Sequence, residues 1–206
     1  MNVELIAHTQ LSDDFVSSIG DFAYTEYLHE YITSGQCVAF TAIRTCYSPN
    51  RPTEILEKEG ERYFGRTATD GKGGTDADRL IRMIVSSGHT STLEHLSFTF
   101  AIEGISRACL AQLTRHRVGF SYSVQSQRYV RFGSKDKTGG FDYVVPKSIQ
   151  EHGEAVYHDL MDILQRTYDS LREKGVPAED ARMVLPQAAT TNLILTANLR
   201  ALLDFY

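Results

Sequence analysis

One segment of the sequence, RHRVGFSYSVQSQRY at residues 115–129, holds three arginines, one histidine, two glutamines and three serines. Arg107 and Arg131 extend this cluster to five arginines with no aspartate between them. Guanidinium groups bind phosphate through paired, charge-assisted hydrogen bonds. The segment therefore predicts a pocket for a small anionic ligand. The alternative is that basic residues in the last turn of a helix only complement its dipole.

Composition limits the other possible partners. The 206 residues carry a formal net charge of -5, and general nucleic-acid binding usually needs a broadly basic face. No stretch of about 18 apolar residues suggests a membrane span, and the first residues lack the layout of a secretory signal. We therefore expect a cytoplasmic protein that binds neither nucleic acid nor membrane.

The three cysteines have no spacing typical of a metal centre. Cys37, Cys46 and Cys109 are far apart and never form a C-x-x-C pair, so we expect no metal site and no disulfide framework. We expect all three to be reduced, buried thiols.

The elements that position the arginine cluster can be predicted from periodicity. Residues 96–104 alternate apolar and polar side chains, which is typical of a strand with one buried face. Ser106 is placed to cap a helix that continues through Arg117 and ends near Gly119. Beyond it we predict an ordered loop and two short strands, at residues 129–132 and 142–146.

Helices are predicted on both sides of this region. Thr75 caps a helix over residues 76–87, and Ser91 with Glu94 has the spacing of a capping box. A long amphipathic helix starts at Ser148, with Glu151 completing a second capping box, and a shorter helix follows Pro177. The last residues are first strand-like and become helical around residue 198. The mixture predicts one α+β domain.

At these positions the sequence resembles the flavin-dependent thymidylate synthases. The shared elements are Arg115-His116-Arg117 followed by Ser126 (R-H-R-x(7–8)-S), GHTSTLEH at 88–95, ARMVLP at 181–186, ANLRALLDF at 197–205 and IRTCYS at 43–48. They occur in the family's order and extend over most of the chain.

The resemblance implies a fold, a reaction and its cofactors. The fold class would be α+β (α/β), a single domain at residues 1–206 with a central, mostly antiparallel sheet flanked by long helices, the thymidylate synthase-complementing fold. The enzyme would be a methyltransferase that makes dTMP from dUMP, with carbon from 5,10-methylenetetrahydrofolate and hydride from FAD reduced by NADPH. It would be a homotetramer with shared active sites and no cysteine nucleophile, because the flavin carries the difficult chemistry.

The resemblance also assigns site residues. Ser126 and Arg182 would support catalysis, with Ser126 positioning the substrate rather than attacking it. FAD would be bound by Ser48, His89, Ser91, Glu94, Arg115, His116, Arg117, Asn198, Arg200 and Asp204. The substrate dUMP would be bound by Gln112, Arg115, Gln125, Ser126, Gln127, Arg128 and Arg182.

Several of these residues also have structural interpretations. His89 could have the purely structural role of holding a loop in place. Glu94 could serve only as the acid of the capping box, and Arg182 could be an ordinary exposed helix arginine. Glutamine amides present a donor and an acceptor together, which suits the edge of a uracil ring.

Two departures from the family pattern affect the prediction. Val124 stands where the family often has Glu or Gln, and Gln125 is expected to take over that contact. The arginine credited with activating uracil in the family would lie just past Tyr206, so we expect the chain to lack the usual C-terminal segment. If that lack is real, the alternative function is a non-catalytic module that binds nucleotide and flavin.

Overall fold

A computed structural model of the protein describes residues 1–19 and 32–206. Within them, four strands form one sheet in the order β1-β2-β4-β3. The strands are β1 Asn2–His8, β2 Ser97–Ser106, β3 Phe120–Val124 and β4 Thr190–Asn198.

Neighbouring strands of the sheet run antiparallel. Between β2 and β4, Thr99 Oγ1 and Thr196 Oγ1 are 2.9 Å apart, while further along β2 the Gly104 amide donates to the Asn192 side chain at 3.0 Å. Between β3 and β4, the Gln125 amide donates to the Asn192 carbonyl at 2.9 Å. The predicted α+β class with an antiparallel sheet is therefore confirmed.

The helices begin at side chains suited to capping. Thr75 and Asp78 form a complete capping box, and Ser106 accepts a hydrogen bond from the Cys109 amide. Asn198 accepts one from the Ala201 amide at 2.8 Å. The α-helices are α1 Asp13–Ser18, α2 Ser34–Tyr47, α3 Ile55–Phe64, α4 Asp76–Ser86, α5 Arg107–Leu113, α6 Lys147–His152, α7 Glu154–Glu173, α8 Ala178–Ala181 and α9 Leu199–Phe205, and the 3₁₀ helices are Pro52–Glu54, Thr90–His95 and Arg182–Val184.

The chain divides into two compact units. The first contains residues 1–5, 100–117 and 121–195, and its core includes Met161 and Tyr168 of α7. The second contains residues 6–99, 118–120 and 196–206, and its core joins α2, α3 and α4 around Phe40. Each of the four strands contributes residues to both units.

The predicted strand at residues 129–132 is wrong. The Val130 amide donates to the Ser126 carbonyl at 2.9 Å, and the Phe132 amide donates to the hydroxyl of Tyr168 at 3.2 Å. These amides are satisfied locally and by a side chain, so no strand partner is needed. Of the second predicted strand, only an isolated bridge between Tyr143 and Ala189 forms.

Both additional capping boxes are also wrong. Ser91 lies inside the 3₁₀ helix Thr90–His95, which has no side-chain cap, and Glu94 instead pairs with Arg200. The predicted long helix begins at Lys147 rather than at a serine cap, and it is interrupted at Gly153. Glycine is a poor helix residue, which explains the break between α6 and α7.

The prediction that the cysteines are buried holds for one residue of three. Cys37 is fully buried, and this burial raises the pKa of its thiol to about 12. Cys46 and Cys109 are exposed, and all three thiols are free. The prediction of burial is therefore wrong for Cys46 and Cys109.

Two kinds of feature are absent from residues 1–19 and 32–206. No group of three or more His, Cys, Asp or Glu side chains there could hold a metal ion. None of the helices in the same residues is long and apolar enough to cross a membrane.

Candidate functional site

The Arg-His-Arg segment follows helix α5 rather than forming its last turn. The helix ends at Leu113, four residues before Arg117. The hydroxyl of Tyr122 lies 3.0 Å from the Leu113 carbonyl oxygen and 2.8 Å from the His116 carbonyl oxygen, so these two acceptors share its single proton. The tyrosine hydroxyl thus satisfies carbonyl groups that would accept amide hydrogen bonds if the helix continued. The three basic side chains are exposed, and Arg115 donates to the side chain of Gln112 at 3.3 Å.

Gly119 allows the chain to pass close to the start of α9. Its φ is +74°, and a Cβ atom at this position would lie 2.6 Å from Cβ of Ala201 and 2.9 Å from the side-chain nitrogen of Asn198. The Asn198 amide donates to the Gly119 carbonyl at 3.1 Å. Only glycine fits both the backbone conformation and the space.

Three arginines of the first unit meet in what we call the arginine group: Arg107, Arg128 and Arg182, with Gln125 and Glu179. Arg107 Nη2 donates to the Gln125 carbonyl at 2.9 Å. Arg182 Nε donates to the Glu179 carbonyl at 2.9 Å, while Arg128 Nε lies 2.6 Å from a carboxylate oxygen of the same glutamate. Two sets of contacts result, one between Arg107 and Gln125 and one that joins Arg128 and Arg182 through Glu179, and the charge of Arg182 acts on Arg107.

Arg107 carries the least compensated charge of this group. Burial lowers the pKa of its guanidinium, and the positive charge of Arg182 lowers it further. Its Nε atom is buried without a hydrogen-bond partner among the described residues. A desolvated charge beside a like charge is unfavourable unless an anion binds to it. The donor set thus fits a ligand phosphate.

Arg107 was part of the arginine cluster in the sequence but received no specific role. One local signal could have singled it out, because it is the first residue of α5. The positive end of a helix dipole disfavours a cation there. A basic residue at that position therefore has a local cost that a bound anion can offset.

The loop after β3 is held in part by the side chain of Ser126. The amide of Arg128 donates to Ser126 Oγ at 3.1 Å, so the hydroxyl of Ser126 acts as an acceptor within the loop. Gln127 is half-buried, and Arg128 is exposed. The Arg128–Glu179 ion pair is solvent-accessible on both sides, and such pairs contribute about 0–1 kcal/mol. A ligand phosphate could replace that carboxylate at little cost.

Predicted FAD residues of the second unit form another network. Arg200 Nη1 lies 3.1 Å from a carboxylate oxygen of Glu94, and Arg200 Nε lies 3.8 Å from Asp204. Asn198 Oδ1 caps α9, which leaves its amide nitrogen as a donor. Two carboxylates flank Arg200, so it is better suited to a hydroxyl or a ring carbonyl than to a phosphate.

His89 and Ser91 lie in the same unit, beside helix α2. The hydroxyl of Tyr47 is 3.0 Å from Nδ1 of His89. Ser91 is exposed and lines a cavity of about 490 Å³ together with Thr92 and His95. The other walls of that cavity are mostly apolar side chains of α1 and α2.

Ser48 is positioned by Glu59, a residue that the sequence did not single out. The Ser48 hydroxyl donates to the Glu59 carboxylate, which also accepts from Asn50 at 2.9 Å and from Arg44 at 2.6 Å. Burial pushes the pKa of Glu59 upward, but the hydrogen bonds from Ser48, Asn50 and Arg44 outweigh it and leave the pKa below its ordinary value. No local pattern on α3 indicates this role.

Comparison with known proteins decides the family. The model of the thymidylate synthase complementing protein family matches residues 27–206. The chain belongs to this family, the flavin-dependent thymidylate synthases. The flavin-dependent thymidylate synthase of Geobacter sulfurreducens is 44% identical over 167 residues, which are 80% of this chain and 64% of that protein. The one of Clostridium tetani is 33% identical over 197 residues, which are 87% of this chain and 71% of that protein.

A solved structure of this flavin-dependent thymidylate synthase family has the same fold. It is ThyX of Helicobacter pylori complexed with FAD and dUMP, with a TM-score of 0.62 and 26% identity, covering 100% of this chain and 82% of that chain. The chain spans about two thirds of the length of the two curated relatives, from Geobacter sulfurreducens and Clostridium tetani. The family membership confirms the recognition made from the motifs.

Proposed function

We propose that this chain makes dTMP from dUMP as a flavin-dependent thymidylate synthase. The carbon would come from 5,10-methylenetetrahydrofolate as a methylene group, so its conversion to a methyl group requires one hydride. NADPH would provide that hydride through FAD, leaving tetrahydrofolate and NADP⁺ as the other products. Family membership and the relative from Helicobacter pylori with FAD and dUMP support the proposal.

The observation that carries the proposal is the uncompensated charge of Arg107 beside Arg182. Two guanidiniums near each other, one of them desolvated, suit the dianionic phosphate of dUMP. Arg107 joins the residues proposed from the sequence to bind the substrate: Gln112, Arg115, Gln125, Ser126, Gln127, Arg128 and Arg182.

FAD is proposed to bind through hydroxyl, amide, imidazole and guanidinium groups, a donor set that fits a dinucleotide. When bound and reduced, FAD supplies the hydride for the methyl group. The chain's own residues orient it and exclude water. The residues proposed for this role are Ser48, His89, Ser91, Glu94, Arg115, His116, Arg117, Asn198, Arg200 and Asp204.

Two serines would present opposite hydrogen-bonding character to their ligands. Ser126 already accepts from the Arg128 amide, so its proton is available to donate to dUMP. Ser48 donates its hydroxyl proton in a hydrogen bond to Glu59 and accepts one from the Asn50 amide at 3.0 Å, so toward a ligand it can only accept, from a donor group such as a ribose hydroxyl. Ser126 would therefore position the substrate, and neither serine is proposed as a nucleophile.

Assembly and location are proposed from the same family resemblance. We propose that residues 1–206 act as one domain, because all four strands contribute to both compact units. We also propose a cytoplasmic homotetramer that takes dUMP and folate without a metal or nucleic acid.

An absorption spectrum of the purified protein tests the cofactor proposal first. We expect a flavin spectrum that bleaches on addition of NADPH, followed by dTMP formation when dUMP and methylenetetrahydrofolate are added. A colourless protein that binds neither FAD nor dUMP at saturating concentrations would overturn the proposal. Binding of both without dTMP would instead support a non-catalytic binding module.

A further inference from the structure

Asn192 holds both of the strands that flank β4. The strand β4 lies between β2 and β3 in the sheet. The side-chain oxygen of Asn192 accepts a hydrogen bond from the amide of Gly104 on β2 at 3.0 Å. Its main-chain carbonyl accepts one from the amide of Gln125, just after β3, at 2.9 Å. One residue of β4 thus connects the two segments that lead into the arginine group.

The contact with Gly104 falls where β2 departs from regular strand geometry. Gly104 has a φ of +71°, whereas residues of an antiparallel strand have a φ of about -140°. Such a departure interrupts the ladder of backbone hydrogen bonds and turns the residues that follow. The side chain of Asn192 supplies the acceptor that the Gly104 amide needs. Because Arg107, the first residue of α5, follows three residues later, this contact fixes the direction in which β2 leads into it.

The guanidinium of Arg107 is held relative to the same strand. Its Nη2 donates to the carbonyl of Gln125, whose amide is bound to Asn192. The backbone of Arg107 is also bound next to β4, because its amide donates to the carbonyl of Ala189 at 3.0 Å. Both ends of this arginine therefore depend on the strand that carries Asn192.

Strand propensity does not explain an asparagine at this position. Asparagine is depleted in strands, whereas Thr190 and Ile194, its neighbours on the same face of β4, are residue types that strands favour. An isoleucine at position 192 would suit the strand better, but it would leave the Gly104 amide without this acceptor. The contact with Gly104 is what the asparagine adds.

We propose that Asn192 is a positioning residue for the phosphate of the substrate and that it acts through Arg107. This role rests on the proposed binding of dUMP to the arginine group. The Nε atom of Arg107 is buried and has no hydrogen-bond partner among the described residues. A planar guanidinium binds phosphate through a fork of donors with a fixed geometry, and such groups must be held within about 0.5 Å of the productive geometry. The contact of Asn192 with Gly104 provides that hold.

A double-mutant cycle between Asn192 and Arg107 tests this role. Asn192→Ala removes the side-chain acceptor but keeps the carbonyl that binds Gln125, and it should raise the dissociation constant for dUMP by about 3- to 10-fold. In protein that already carries Arg107→Ala, the same change should raise it by less than about twofold, because the group that Asn192 positions is gone. Isothermal titration measures all four proteins. Equal fold-changes in the two backgrounds would overturn the proposal.

Two further variants separate positioning from a general effect on the fold. Asn192→Asp keeps an oxygen acceptor for the Gly104 amide, so it should recover most of the affinity for dUMP. Ile194→Ala, on the same face of β4 and 39% exposed, is the matched control and should bind dUMP like the wild type. An aspartate variant that binds as weakly as the alanine variant would contradict the role of the acceptor, and so would an equal loss in Ile194→Ala.

Flavin absorbance gives a readout that a disturbed fold would change. The FAD content of Asn192→Ala should equal that of the wild type, and parallel losses of FAD and dUMP would overturn the proposal. Wild-type protein that binds no dUMP would overturn the proposed function together with this role. Equal fold-changes in the cycle, in protein that does bind dUMP, would overturn the role of Asn192 alone.

Discussion

Replacing Arg107 by alanine tests the proposed phosphate contact. In the described part of the chain, the Arg107 guanidinium makes one hydrogen bond, to the neutral carbonyl of Gln125. Its half-buried charge is acted on by the charge of Arg182, and no ion pair to Arg107 forms among residues 1–19 and 32–206. A charge-assisted bond from this group to a phosphate contributes about 1.5–3 kcal/mol. R107A should therefore raise the dissociation constant for dUMP by roughly 10- to 150-fold.

Isothermal titration at constant ionic strength measures this effect, with flavin absorbance as a separate measure of FAD content. Arg107→Lys keeps the charge but loses the planar fork of donors, so we expect an intermediate loss. Arg182→Ala should also weaken dUMP binding more than FAD binding. Arg51→Ala, an exposed arginine on the other compact unit, is the matched control and should bind dUMP like the wild type.

Two results would refute the reasoning. One is a change in dUMP affinity of less than about threefold in R107A, which is under ~1 kcal/mol. The other is an equal loss of FAD and dUMP, because that would indicate a general disturbance of the fold rather than a lost phosphate contact.

Three further predictions concern the residues around the site. Glu59→Gln should lower the free energy of unfolding at neutral pH by about 1–3 kcal/mol. The lowered pKa of Glu59 stabilises the folded protein at pH values above the ordinary pKa of 4.5, and this stability is lost as the pH falls through the folded-state pKa. Denaturation of the wild type and the variant should therefore show a difference in stability that shrinks in acid. Gly119→Ala should lower the free energy of unfolding by about 2–5 kcal/mol, because the positive φ and the steric overlap of the new Cβ act together. Gly71 has a φ of +73° and open space around the position of a Cβ, so Gly71→Ala should lower it by only about 1–2 kcal/mol. Equal losses in chemical denaturation would contradict the steric argument. Ser126→Ala should reduce turnover by roughly 2- to 10-fold through one lost hydrogen bond, and complete loss of dTMP formation with intact dUMP binding would instead indicate a chemical role.

Local signals in the sequence predicted much of the fold. The alternation before Ser106 identified β2, and the caps at Thr75 and Ser106 identified the starts of α4 and α5. The strand β3 was missed although Phe120, Tyr122 and Val124 alternate with serines. Its polar residues were interpreted as a ligand-binding loop, which hid the period of two.

The errors arise where tertiary contacts outweigh local preference. Residues 129–132 are good strand formers, yet the side chain of Tyr168 binds the amide of Phe132, and no strand of residues 1–19 or 32–206 pairs with them. The motifs predicted a set of site residues, and their roles stay a prediction. The contacts of Ser48 with Glu59 and of Arg107 with Gln125 could not be predicted, because each joins separate elements whose approach depends on the whole fold.

The strand order has a consequence for folding during synthesis. β4 is the last of the four strands in the sequence, but it lies between β2 and β3 in the sheet. On the ribosome, β2 and β3 are therefore complete well before the strand that joins them has emerged. Until residues 190–198 leave the exit tunnel, β2 has one edge with unpaired hydrogen-bonding groups and β3, which pairs only with β4, has two. Unpaired strand edges make partly folded chains prone to aggregation, so this interval is one in which the nascent chain needs protection.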